Sequence, residues 1–112
     1  MYDLLIRGAS IADGTGAPVF SGDIAVQNGR IAALGAVTGP AKTVIDARGR
    51  TVSPGFIDVH RHGDAAFFRP DWGELELRGG LTTVVNGNCG LSVAPVSGPH
   101  EAAVRQYLQP VT

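Results

Sequence analysis

Pro54-Gly55-Phe56-Ile57-Asp58-Val59-His60-Arg61-His62 opens on a Pro-Gly break and continues as a short apolar, β-branched run, the pattern of a strand entered from a turn. The pattern predicts a strand over 56–60. Alternate side chains of a strand share a face, so Asp58, His60 and His62 are expected to project together, with Ile57, Val59 and Arg61 on the other side. If this strand opens a closed barrel, Ile57 and Val59 pack outward under covering helices and the imidazoles sit at the barrel mouth. Two histidines two residues apart can reach one ion together, each ring nitrogen about 2.0–2.1 Å from zinc. An isolated His-x-His also suits an ordinary exposed loop. Here Asp58 shares the face and Gly63-Asp64 follows, so three or four metal-compatible groups gather within a few residues.

Upstream, residues 3–35 read as short strands separated by turns. Leu4-Leu5-Ile6 precedes Asp13-Gly14-Thr15-Gly16, and Asp23–Gln27 is joined by Asn28-Gly29 to Arg30–Leu34. Asn-Gly between two apolar-alternating runs favours a two-residue hairpin of type I′, because both residues tolerate positive φ. A strand at Thr43–Asp46 and the run 51–53 complete this part. The boundary falls at Pro54, giving residues 1–53 as one domain segment and 54–112 as another.

Downstream the pattern becomes strand, helix, strand, helix, which signals parallel-sheet units. The second strand is expected at Leu81–Val85. Between the strands, Asp71 and Glu74 have capping-box spacing and open a short helix through Leu75 and Leu77 that stops at Gly79-Gly80. Pro99 suits a first helical position, and Ala102, Ala103, Val104, Tyr107 and Leu108 give a 3.6-residue face that ends before Pro110.

Cys89, in Gly87-Asn88-Cys89-Gly90, follows the second strand and therefore sits at the same mouth as the histidines. Alone, such a cysteine reads as a small buried hydrophobe, a metal ligand, or a nucleophile with His60 or His62 as its base. Its flanking glycines let the backbone approach a ligand closely, which suits a thiolate facing a metal. His100, in the first turn of the last helix, reads as a solvated surface residue, and Trp72 as packing.

The 112 residues carry a net charge of −1, with acids and bases scattered, so no basic stripe invites nucleic acid or anionic lipid. No apolar run approaches the roughly 20 residues of a membrane span, and Met1-Tyr2-Asp3 lacks a basic export signal, so a cytoplasmic location is expected. A single cysteine forms no internal disulfide, and 16 glycines with 7 prolines imply many tight turns.

The run 54–62 resembles the segment that opens the barrel of the amidohydrolase superfamily, and Asp13–Gly16 with Asn28–Gly35 resembles that superfamily's N-terminal β segment. Gly80-Leu81-Thr82-Thr83-Val84-Val85, Gly87-Asn88-Cys89-Gly90 and Ser92, Ala94 and Pro95 are similar to the N-acyl-D-amino-acid deacylases, or D-aminoacylases. The resemblance implies an α/β fold: N-terminal strands forming part of a small β-sandwich domain, then the first two β/α units of an incomplete TIM-like (β/α)8 barrel. It implies a cofactor of one or two divalent ions, zinc first. His60 and His62 would contribute to one metal position, while Cys89 would ligate zinc at the other, in place of the carboxylated lysine of relatives. Asp58 would be an outer partner orienting a ligating histidine.

The implied reaction is hydrolysis of a linear amide in a small-molecule N-acyl amino acid. The resemblance also implies that the catalytic aspartate, later histidines and substrate-binding basic residues lie beyond Thr112, since a complete barrel takes about 250 residues. The chain alone is then expected to hold part of a metal site without activity. Two departures, Arg61 and Asn86, stand where many relatives carry other residues. A cyclic amidase of the same superfamily fits residues 54–62 equally well. A non-catalytic remnant, or one half of a split protein with a downstream partner chain, is the reading from a different class.

Overall fold

A computed structural model describes residues 1–64, 66, 69–92 and 97–109. The protein is mixed α/β, with seven strands and two short α-helices among the described residues. It divides into two compact units, Met1–Pro54 and Gly55–Thr112.

The first unit is a five-stranded sheet built on β1 (Tyr2–Ile11), with β2 (Phe20–Gln27), β3 (Arg30–Gly35), β4 (Ala41–Asp46) and β5 (Thr51–Val52). The order is β3-β2-β1-β4, and β5 also pairs with β1. The β2–β3 hairpin turns at Asn28 and Gly29, whose φ values of 52° and 70° are those a type I′ turn requires. The strands run longer than their apolar cores suggest, since ladder hydrogen bonds carry on through polar positions such as Ser10 and Ser21.

β1 pairs antiparallel with β2 and parallel with both β4 and β5. Pairing with β2 shifts register between Ile6 and Ala9, around Gly8 at φ 70°. Neighbouring side chains on a strand point to opposite faces, so the sheet carries apolar packing on both: Leu5, Ala25 and Val37 on one, Ile24 with Ala9, Ile11 and Ala47 on the other. The irregularity at Gly8 keeps Ala9 and Ile11 on the side of Ile6, which packs with them.

The turn after β4 is fastened by charge. Arg48 Nε donates to both oxygens of Asp46, at 2.9 and 3.0 Å, Nη2 donates to Oδ2, and the Arg48 backbone N–H adds a third donor. The guanidinium beside it, followed by the backbone bond, holds the Asp46 carboxyl at about 2, and Lys42 and the Asn28 amide lower Asp3 likewise. A carboxyl depressed in the folded state stabilises the fold above its unfolded value of about 4, and that contribution is lost as pH falls through about 2. Thermal melts are therefore expected to drop between pH 4 and 2, with the drop shallower in Asp46→Asn. Both groups are exposed, so high salt should shrink the effect.

The second unit contains β6 (Phe56–Asp58), α1 (Glu74–Arg78), β7 (Leu81–Val84) and α2 (Glu101–Leu108). β6 and β7 pair in parallel, with α1 between them in sequence. Two glycines permit the close pairing: a Cβ on Gly80 would lie 3.1 Å from the Phe56 ring, and one on Gly55 only 2.1 Å from Thr82 Oγ1. Register slips by one residue between Phe56 and Ile57, so Thr82 lacks a strand partner of its own and its side chain occupies the space over Gly55.

Three local expectations change. β6 ends at Asp58 instead of 60, because Asp58 Oδ1 accepts the His60 backbone N–H (3.1 Å) and closes a turn. β7 ends one residue before Val85. The cap of α1 is Gly73 with Glu76, whose Oε2 accepts the Gly73 N–H (3.1 Å), because Asp71 is paired with Arg69 and Glu74 with Arg78. The stop at Gly79 holds, its N–H donating to Leu75 O. Pro99 falls in a 3-10 turn, Gly98–His100, that leads into α2, and Pro110 lies outside the described residues. Phe56, Ile57, Val59, Leu75 and Leu77 are all more than half exposed. Among the described residues no helix is long and apolar enough to cross a membrane.

Candidate metal centre

The two loops that leave β6 and β7 carry the chemistry. After Asp58 the chain turns through His60, Arg61 and His62, whose two imidazoles stand edge to face, ring centres 5.6 Å apart and planes at 83°. After β7 the ladder is prolonged by the Val85 N–H donating to Asp58 O (2.8 Å). The chain then bends at Gly87 (φ 81°) into a 3-10 turn, Asn88–Gly90. Cys89 within it has φ 55° and ψ 20°, a left-handed backbone that a residue with a Cβ adopts only where its surroundings impose it.

Hydrogen bonds from the two preceding residues, one local and two long-range, accompany it. Asp64 Oδ1 accepts the Gly87 N–H at 2.8 Å. Asn88 Nδ2 donates to Val85 O at 2.7 Å and to Arg61 O at 3.3 Å. The second loop is thereby tied to the first at the two residues that precede Cys89. Its sulfur lies 3.4 Å from His60 Nε2, and one ligand atom from each of His60, His62 and Cys89 lies within 4.8 Å of the others.

The donor set suits zinc. Zn–S of about 2.3 Å and Zn–N of about 2.0–2.1 Å at a tetrahedral angle place sulfur and nitrogen roughly 3.5 Å apart, close to the separation of Cys89 Sγ and His60 Nε2. All three residues are exposed, so an ion could enter from solvent. Cys89 is likewise a free, exposed thiol.

Two carboxylates that the sequence brings near the histidines hold backbone instead. Asp58 Oδ1 receives the His60 amide and Asp64 Oδ1 the Gly87 amide. Asp58 therefore bears on His60 through its main chain. His100 is exposed and outside the group. Asp64 and Asn88 escape sequence reasoning as loop ties because their partners lie 23 and 27 residues away, a separation that no local pattern marks.

The chain is 48% identical over 96 residues to an N-acyl-D-aspartate deacylase of Alcaligenes xylosoxydans xylosoxydans, covering 85% of this chain and 19% of that protein. Its fold is similar to the crystal structure of an N-acyl-D-glutamate deacylase from Bordetella bronchiseptica, complexed with zinc and a phosphonate mimic of the tetrahedral intermediate. That match has a TM-score of 0.80 and 44% identity over 92% of this chain and 23% of the other. It is also similar to a D-aminoacylase structure concerned with the functional role of a binuclear metal centre, at TM-score 0.81, 40% identity, 88% of this chain and 21% of that one. The chain spans about a fifth of the length of these curated relatives, a small N-terminal part of them. A family profile for amidohydrolases matches residues 43–107, more than half of the sequence and all three clustered side chains included, and the chain belongs to the amidohydrolase family.

Proposed function

We propose that this chain supplies metal ligands to a zinc-dependent N-acyl-D-amino-acid deacylase, which hydrolyses the linear amide of a small N-acyl amino acid. The observation that carries the reading is the convergence of His60, His62 and Cys89 ligand atoms within 4.8 Å, on loops that follow two parallel strands. The deacylase activity of the relatives supports it.

In this reading residues 1–53 belong to a small β domain, and residues 54–112 open a (β/α)8 barrel whose first two units contain β6, α1, β7 and α2. The parallel pairing of β6 with β7 supports that arrangement. One or two divalent ions are bound, with His60 and His62 offering imidazole nitrogens and Cys89 a thiolate. Zinc so held would supply Lewis acidity, lowering the pKa of water toward about 7 and polarising an amide carbonyl. Asp58 steadies His60 through its backbone amide. No proton-transfer role falls to a residue of this chain. A cytoplasmic location fits the lone exposed thiol, and neither nucleic acid nor membrane has a part.

The same short distance between Cys89 and His60 would also serve a thiolate nucleophile with an imidazole base, but that pair leaves the adjacent His62 without a task. A cyclic amidase uses the histidines and has no need of the thiol. The test is an assay of the chain, alone and joined to the coding sequence that follows it, against N-acetyl-D-aspartate, N-acetyl-D-glutamate, their L isomers and a hydantoin. Zinc binding by the chain alone, and chelator-sensitive, D-selective release of amino acid by the longer product, are expected. Turnover of the hydantoin only would overturn the deacylase reading.

A further inference from the structure

Arg61 lies between the two histidines, and each of its ends is held. Its guanidinium donates from Nη2 to Glu76 Oε1 on α1, and its carbonyl oxygen accepts Asn88 Nδ2 from the residue preceding Cys89. The pair with Glu76 is sheltered, the side chains being 30% and 13% exposed, unlike the other ion pairs of the chain among the described residues. Glu76 is itself immobilised, because its second oxygen caps α1 by accepting the Gly73 N–H. Gly63 is buried beside the arginine, and a Cβ there would make ordinary van der Waals contact with Arg61 Nε at 3.4 Å.

We propose that Arg61 and Glu76 form a positioning clamp for the metal centre, an inference that rests on the zinc reading above. The His60-Arg61-His62 turn makes no ladder bonds of its own beyond β6, and the orientation of its imidazoles depends on where the intervening backbone is fixed. The clamp fixes it from two directions: through the side chain to α1, and through the carbonyl to the loop that presents the thiol. His60, His62 and Cys89 are thus referred to one residue. Partners of this outer kind typically contribute tenfold to a hundredfold to metal affinity.

The test uses the full chain titrated with cobalt(II), read by its thiolate-to-cobalt charge-transfer absorption and by competition with a chelator. Glu76→Gln keeps an oxygen to cap α1 but removes the charge, Arg61→Met removes the cation, and Arg61→Lys restores it. Glu76→Gln and Arg61→Met should each weaken cobalt binding about tenfold and reduce the thiolate band per bound ion, with far-UV circular dichroism unchanged, whereas Arg61→Lys should stay within about twofold of the parent. Should Arg61→Met fail to fold, Glu76→Gln decides alone. Parental affinity and an intact band in Glu76→Gln would overturn the clamp while leaving the metal centre standing. A parent chain whose cobalt complex shows no thiolate band, and matches Cys89→Ser, would overturn the metal centre and the clamp together.

Discussion

Cys89→Ser is expected to lower zinc affinity by about a hundredfold or more, since losing a ligand should exceed the tenfold to hundredfold cost of losing an outer partner. The thiolate is the soft donor of the set, and a serine hydroxyl stays protonated at neutral pH and cannot replace it. Both residues carry a Cβ, so the left-handed backbone at φ 55° burdens them alike and the change reports on sulfur alone. Cys89→Gly separates the two effects: it relieves a strain of about 1 kcal/mol or more, so the apo protein should melt at a higher temperature even as metal affinity falls. Chelator competition and elemental analysis measure the first quantity, calorimetry the second. Unchanged affinity in Cys89→Ser, with loss of a reactive thiol, would point to the nucleophile instead.

Gly55→Ala is expected to destabilise the second unit by about 1–3 kcal/mol, the usual cost of forcing an extra group into a packed contact. A Cβ there would meet Thr82 Oγ1 at 2.1 Å, Cγ2 at 2.2 Å and Cβ at 2.7 Å. Rotating the threonine moves its first two atoms and not the third, so relief requires β6 to draw away from β7. His60 and Cys89 follow those strands, and metal affinity should decline in step. Thr82→Gly in the same chain removes these three atoms and should return part of both losses, a coupling that a double-mutant cycle measures. If Gly55→Ala binds zinc as the parent does, the spacing of the two strands does not set the site.

Much of this was legible in order along the chain. Asn28-Gly29 needs positive φ at both residues and announces its own hairpin. The apolar runs at 43–46 and 81–84 carry the β-branched composition of the strands they form. His60, His62 and Cys89 stood out because two imidazoles two residues apart and a thiol flanked by glycines can reach one metal, in segments that resemble the deacylases. Where β6 ended early and the cap of α1 moved, partners in space decided: Asp58 accepts the His60 amide, and Asp71 pairs with Arg69 and leaves the cap to Gly73 and Glu76.

The sequence alone determined the turns, the approximate strands and the residue types able to hold a metal, because each depends on backbone preferences and side-chain chemistry within a few residues. Only the tertiary structure decided that β4 and β5 run parallel to β1, that Thr82 fills the space over Gly55, and that Asp64, Asn88 and Arg61 bind two loops into one site. Those are contacts between residues more than twenty positions apart. They exist because parallel strands return their loops to the same edge, where a polar group meets a partner that no local pattern predicts.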